Sequence, residues 1–255
     1  MVISYQDCYM TEKEKMLAGE IYSAVDQKLL EELTATRDKI FEYNSLRPSE
    51  TKRMKEIIKE LFGHVADDEF NLNQPFRCDY GKQISIGKRF FANFNFTVLD
   101  EARVTIGDDC FIGPNVSIYT ACHSTDPVAR NSRQEWAKPV TIGNNVWIGG
   151  SVTILPGVEI GDNVSIGAGS VVVKDIPSNS VAVGNPCKVI KKIWLTPISG
   201  ATSIIFKRQR LLDSIIITEF GVFVHPISFF FVILQPIWNF NWIIAKNETE
   251  RESET

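Results

Sequence analysis

Along the second third of the chain an aliphatic side chain returns at every sixth position. Ile106, Ile112 and Ile118 set the beat, which resumes at Ile142, Ile148, Ile154, Ile160, Ile166 and Val172. Glycine follows it at Gly107, Gly113, Gly143, Gly149, Gly161 and Gly167. A small or branched residue comes four places after each anchor: Cys110, Val116, Cys122, Val146, Val152, Val158, Val164 and Ser170. Ile86, Ala92 and Val98 extend the pattern upstream, with a two-residue slip before Ile106. A period of six is neither the 3.6 of a helix nor the 2 of an ordinary strand. It predicts a mainly β fold, a parallel β-helix in which three hexapeptides close one coil and equivalent strands lie about 18 residues apart. Each anchor points inward, each glycine lets the chain turn a corner, and stacked coils bury an aliphatic ladder that no single coil can cover.

Residues 124–139, STDPVARNSRQEWAKP, interrupt the repeat, yet the step from Ile118 to Ile142 is a whole number of periods, so the register survives. Polar insertions of this length inside compact domains are usually functional. Upstream, residues 11–63 carry a helical rhythm. Thr11 with Glu14 forms a capping box, and Asp26 is placed to cap a second helix with Leu29, Leu30, Leu33, Ile40 and Phe41 on one side. Pro48 stops it. Ser49 is placed to cap a third helix with Met54, Ile57, Ile58 and Leu61 as its stripe and Gly63 at the C′ position. The expected organisation is a helical subdomain over 1–70, a β-helix over 71–193 with its insertion, and an atypical extension over 194–255.

Composition adds limits. Lys and Arg number 27 against 31 Asp and Glu, a net charge of −4, which disfavours a general nucleic-acid binder. Five cysteines, Cys8, Cys78, Cys110, Cys122 and Cys187, form no CxxC pair, so neither a disulfide framework nor a cysteine-type zinc site is expected. The segment MVISYQDCYMTEKEK lacks the apolar core of a signal peptide, and a reducing cytoplasm is the expected setting. The exception is Gly221 to Ala245, 25 residues without Asp, Glu, Lys or Arg. That length suits a membrane span, and Lys207, Arg208 and Arg210 precede it, but Pro226 and Pro236 interrupt it. Three readings stay open for 194–255: a frameshift or read-through extension, a membrane anchor, or a segment that packs on a partner.

Of the three histidines, His64 adjoins the helical layer and His225 lies in the apolar tail. His123 ends a coil at the mouth of the polar insertion, where a ring titrating near neutral pH suits a general base. A structural histidine is the competing reading. No second histidine stands near it in sequence, so a histidine-ligated zinc centre is not expected.

The run FANFNFTVLDEARVTIGDDCFIGPNVSIYTACHSTDPVARNS, followed by KPVTIGNNVWIGGSVTILPGVEIGDNVSIGAGSVVVKDIPSNSVAVGNPCKVI, resembles the galactoside and maltose O-acetyltransferases and the related nodulation sugar acetyltransferases. The likeness begins at MTEKEKMLAGEIY and runs to about Ile193. It implies a left-handed β-helix, a homotrimer with active sites between neighbouring coils, acetyl-CoA as donor and a sugar hydroxyl as acceptor; no metal is expected, because the β-helix carries one histidine where a zinc site needs several. By the resemblance the base falls on His123, and the N–H that steadies the oxyanion falls on Gly150. Acceptor-binding positions fall on Asn93 and Glu101, and on Asp79 and Glu135, where the family varies. Trp147 would wall the acetyl pocket, Ala168 would meet the pantetheine arm, and Lys174, Lys188 and Lys191 would meet the phosphates. Bare-residue readings stay open beside these: a corner residue for Asn93, solvated charges for the lysines, an interface contact for Trp147. Other acceptors (an amino sugar, chloramphenicol, serine) and a catalytically silent trimeric module are the alternatives.

Overall fold

The computed structural model describes residues 10–193. The readings made for 194–255, including the apolar stretch 221–245, lie outside the described residues. Outside the insertion, strands between 64 and 183 stack in three parallel sheets that wind a left-handed β-helix of about six turns, and Lys188–Lys192 adds an antiparallel edge strand. In the last coils the partners are 18 residues apart, as Ile142 with Ile160, Ile148 with Ile166 and Ile154 with Val172. In the first coils they are 20 apart, as Ile86 with Ile106, Ala92 with Ile112 and Val98 with Ile118. The two-residue slip is thus a longer corner at Asp100–Arg103 that every early coil accommodates. The insertion likewise leaves Ile106 opposite Ile142, Ile112 opposite Ile148 and Ile118 opposite Ile154. All nine anchors from Ile106 to Val172 are buried.

The residues four places on are buried too, with one exception. Cys122 is only half-buried, because the chain has already left the coil at Ala121 and entered a hairpin. The glycines also differ from expectation. Left-handed backbone falls two residues after them, at Arg89, Asp109, Asn145 and Asn163 along one corner and at Asn115 and Ser151 along the next, and at the equivalent Asn179 and Asn95, which follow Pro177 and Asn93 instead. Asparagine tolerates that region best among residues with a Cβ. The glycines serve close stacking instead: a Cβ on Gly107 would lie 2.7 Å from the backbone of Gly143. A ladder of side-chain caps runs beside them. Asp108 accepts from the Lys88 N–H at 2.7 Å, Asn144 from Asp108 at 2.8 Å, Asp162 from Asn144 at 2.6 Å and Ser178 from Asp162 at 3.0 Å.

The helical layer comprises α1 (Glu12–Ala18), α2 (Gln27–Ser45) and α3 (Thr51–Leu61). The Thr11–Glu14 capping box and the Asp26 cap form as expected. Two expectations fail. Leu30 and Phe41 face solvent, since α2 buries only the narrow stripe of Leu29, Thr36, Ile40 and Tyr43. Glu50, not Ser49, is the N-cap of α3, and it makes no side-chain cap bond. Gly63 is not in the left-handed region either; a Cβ there would lie 2.2 Å from the Lys82 carbonyl oxygen, so close approach is what demands glycine. Ile40, Tyr43, Ile57, Ile58 and Leu61 share one apolar cluster with the β-helix interior. Asn44 docks α2 on the first coil, donating to the Phe76 carbonyl and accepting from its N–H, both at 2.9 Å.

Candidate active site

The insertion is itself structured: a strand at Ala121–His123, a short helix α4 (Pro127–Asn131) capped by Asp126, and a returning strand at Gln134–Ala137. Tyr22–Ser23, arriving from the helical layer, adds a third antiparallel strand. The register sets His123 opposite Glu135 and Glu135 opposite Tyr22. Cross-strand neighbours share one face at close range, so the three side chains stand abreast. His123 Nδ1 lies 4.0 Å from Glu135 Oε1, with the His123 side chain half-exposed and Glu135 largely covered. The buried Tyr22 hydroxyl donates to Glu135 Oε2 at 3.2 Å. A cavity of about 430 Å³ opens here, lined by His123, Arg130, Asn131, Arg133 and Glu135. A smaller one, of about 220 Å³, lies between α3 and the first coils, lined by Tyr43, Met54 and Phe70 among others.

Directly beneath lies an acidic corner. Glu101 is buried, with Oε2 3.1 Å from the Thr120 hydroxyl oxygen. Burial, reinforced by the neighbouring Asp79 carboxyl, holds its proton well above the usual carboxylate range. Asp100 is fully buried and its pKa is pushed up to about 7 by desolvation. Its Oδ1 accepts the N–H groups of Asp79 and Tyr80 at 3.1 and 2.9 Å, while Oδ2 has no partner among the described residues. The longer corner that announced itself as a slip in the period is thus where the fold stores its buried acids.

Asn93, Gly150 and Ala168 sit elsewhere, stacked along the preceding corner of the β-helix. Asn93 Oδ1 accepts the next residue's N–H at 2.8 Å, the local bond of a corner residue. The N–H groups flanking Gly150 are spent, Gly149 on Ile166 at 2.8 Å and Ser151 on Pro114 at 2.8 Å. The Gly150 N–H has no partner among the described residues. Trp147 stands half-exposed on the outer face of its sheet, beside Phe111 in register. Lys188 and Lys191 are exposed on the last strand, and Lys174 is exposed on the His123 corner. Within one chain, then, His123, Glu101, Asp79 and Glu135 gather at one corner, and Asn93, Gly150 and Ala168 at another. A whole strand separates the two corners, roughly 20 Å of extended chain for six residues.

Tyr22, Asp100 and Thr120 were not legible as site residues. Tyr22 reaches the site only through a strand pairing 113 residues away in sequence. Asp100 and Thr120 had a signal, the slip before Ile106, that marked the place without naming the chemistry. Among the described residues, no three His, Cys, Asp or Glu side chains are grouped to hold a metal ion, and no helix is long and apolar enough to cross a membrane.

Comparison with known proteins agrees with this architecture. Residues 15–66 match the maltose acetyltransferase hexapeptide capping motif, and residues 139–174 match the bacterial transferase hexapeptide of six repeats. Galactoside O-acetyltransferase of Escherichia coli is 43% identical over 180 residues, 71% of this chain and 88% of that protein. The crystal structure of a maltose O-acetyltransferase from Clostridium difficile superposes with a TM-score of 0.72 at 51% identity, covering 73% of this chain and 99% of that one. A galactoside acetyltransferase solved in complex with coenzyme A gives 0.70 at 39% identity, covering 76% and 100%. The chain therefore belongs to the galactoside and maltose O-acetyltransferase family of hexapeptide-repeat acetyltransferases.

Proposed function

We propose that the chain moves an acetyl group from acetyl-CoA to a hydroxyl of a sugar of the maltose, galactoside or glucose type, with His123 as general base. The observation that carries this reading is the position of His123, half-exposed at the mouth of the 430 Å³ cavity with a carboxylate behind its ring. Its free ring nitrogen takes the hydroxyl proton as the oxygen attacks the thioester carbonyl. Without a base, a hydroxyl of high pKa is a poor nucleophile at neutral pH. The oxyanion that forms needs a donor already in place, and the unspent Gly150 N–H is suited to it. The C–S bond then breaks, and the proton held on His123 passes to the departing thiolate, so no acetyl-enzyme is needed.

The donor is supported by the relative solved with coenzyme A. Trp147, Ala168, Lys174, Lys188 and Lys191 are the candidates to hold it, and Asn93, Glu101, Asp79 and Glu135 the candidates around the acceptor. Because these fall on two corners of one chain, the reading requires that one copy's His123 corner meet the next copy's Gly150 corner. A triangular β-helix meets that condition in a closed three-fold ring. The free thiols of Cys78, Cys110, Cys122 and Cys187 support a reducing, cytoplasmic setting.

The test is thiol release from acetyl-CoA across a panel of sugars, amino sugars, serine and chloramphenicol. Turnover with sugars is expected. His123→Ala should lower kcat by roughly 10²–10⁴-fold with acetyl-CoA affinity unchanged by calorimetry. Near-normal turnover of that variant would remove His123 from the mechanism, and coenzyme A binding without transfer to any acceptor would favour a silent module.

A further inference from the structure

We infer that Tyr22, supplied by the helical layer, is a positioning residue that acts on His123 through Glu135. The argument starts from register. Glu135 is on the central strand of the three-stranded sheet, with His123 on one flank and Tyr22 on the other, all three on one rung. A rung of this kind constrains the carboxylate from both sides. One oxygen, Oε2, is held by the Tyr22 hydroxyl at 3.2 Å, and the other, Oε1, is left facing His123 Nδ1 at 4.0 Å. The tautomer and orientation of an imidazole are set by the hydrogen bond that its far nitrogen makes, often to a carboxylate. Closing the last ångström when an acceptor is bound gives Glu135 the Nδ1 proton to accept and leaves Nε2 free as the base, since such bonds tighten in the loaded site.

Tyr22 is fitted for this and for little else. Its ring is buried among Met16, Leu29 and Tyr80, so its hydroxyl cannot swing away. Burial, with Glu135 and Glu101 facing it, pushes the phenol's pKa above its ordinary value, so at neutral pH the hydroxyl keeps its proton to donate. The strand that carries it is tied down twice just after Tyr22. The Ser23 N–H donates to the Glu12 carboxylate, and the Ala24 N–H to the Arg133 carbonyl at 3.1 Å. The helical layer is therefore wired to the candidate base, and the link consists of one hydroxyl and one carboxylate.

This inference rests on the reading of His123 as the base, and the experiment separates the two. The full chain is labelled with ¹⁵N-histidine, and the His123 signals are assigned by their loss in His123→Ala. The ring nitrogen shifts then report the tautomer without any need for turnover. The wild-type protein with bound coenzyme A and acceptor is expected to show the Nδ1–H form. Glu135→Gln should shift it toward the Nε2–H form and lower kcat about tenfold or more. Tyr22→Phe, which removes only the hydroxyl, should move the same signals in the same direction and lower kcat about fivefold, with KM for acetyl-CoA unchanged. If Tyr22→Phe leaves the ring signature and kcat as in wild type, Tyr22 is a packing residue and the inference fails. It fails equally if kcat falls only in step with Tm while the signature stays. Full turnover by His123→Ala sinks the base reading alone; the ring signature still decides whether Tyr22 and Glu135 set the imidazole.

Discussion

Asp100 is the carboxylate most completely withdrawn from water among the described residues. It is buried completely, accepts two backbone N–H groups through one oxygen and leaves the other without a partner among those residues. An unfolded aspartate ionises near 3.9, whereas this one holds its proton to about 7. Between those values the folded state binds more protons than the unfolded, so Asp100 makes stability fall as pH rises, by up to about 1.4 kcal/mol per pH unit. Asparagine keeps the accepting oxygen and mimics the protonated acid. Asp100→Asn is therefore expected to flatten the pH dependence of Tm between about 4 and 7 and to be the more stable protein at pH 7; a Tm profile parallel to wild type would contradict the assignment. The residue types at this corner were plain in the sequence. Their ionisation was not, because it follows from what covers them.

At the scale of the element, the two kinds of corner position make opposite predictions. Gly107 has no room for a methyl group, since a Cβ would meet Asn144 Oδ1 at 2.6 Å and the Gly143 backbone at 2.7 Å. Gly107→Ala should cost about 1–3 kcal/mol in urea unfolding, as overpacking does. Asn145, at φ 55°, has the backbone that glycine prefers. Asn145→Gly should thus be near neutral and Asn145→Val should lose about 1–2 kcal/mol. A hexapeptide period reports which positions recur but not why. That is how glycines read as corner formers prove to be points of close stacking, the corner falling to the asparagines. The helical layer shows the same limit. Capping by Thr11 and Asp26 is local chemistry and was legible. The exposure of Leu30 and Phe41 depends on how wide a face the β-helix offers to α2, which no helical pattern contains.

On the scale of the whole molecule, the candidate site residues occupy two corners of one β-helix, which leads to a complementation test. On the proposed function His123→Ala and Asn93→Ala, each impaired alone, should regain activity when the two proteins are unfolded together and reassembled, because the proposed sites join corners of two copies and a mixed assembly would contain intact ones. Mixed assemblies that form without restored turnover would show that each chain works with its own corners. A stretch amounting to 73% of this chain suffices to cover 99% of the Clostridium difficile enzyme. Truncation after Lys192 is accordingly expected to leave thiol release intact, and loss of the folded assembly in that variant would overturn the expectation. What the amino-acid sequence determined by itself was the repeat, hence the β-helix, its interruption and the one histidine at the interruption's mouth. These are periodic or adjacent features, and adjacency survives in one dimension. Only the tertiary structure decided that Tyr22 reaches Glu135, that Asp100 and Glu101 are sealed from water, and that the candidate residues part between two corners. Each of these depends on strands far apart in sequence being stacked in space, and stacking is what sets distance, burial and charge.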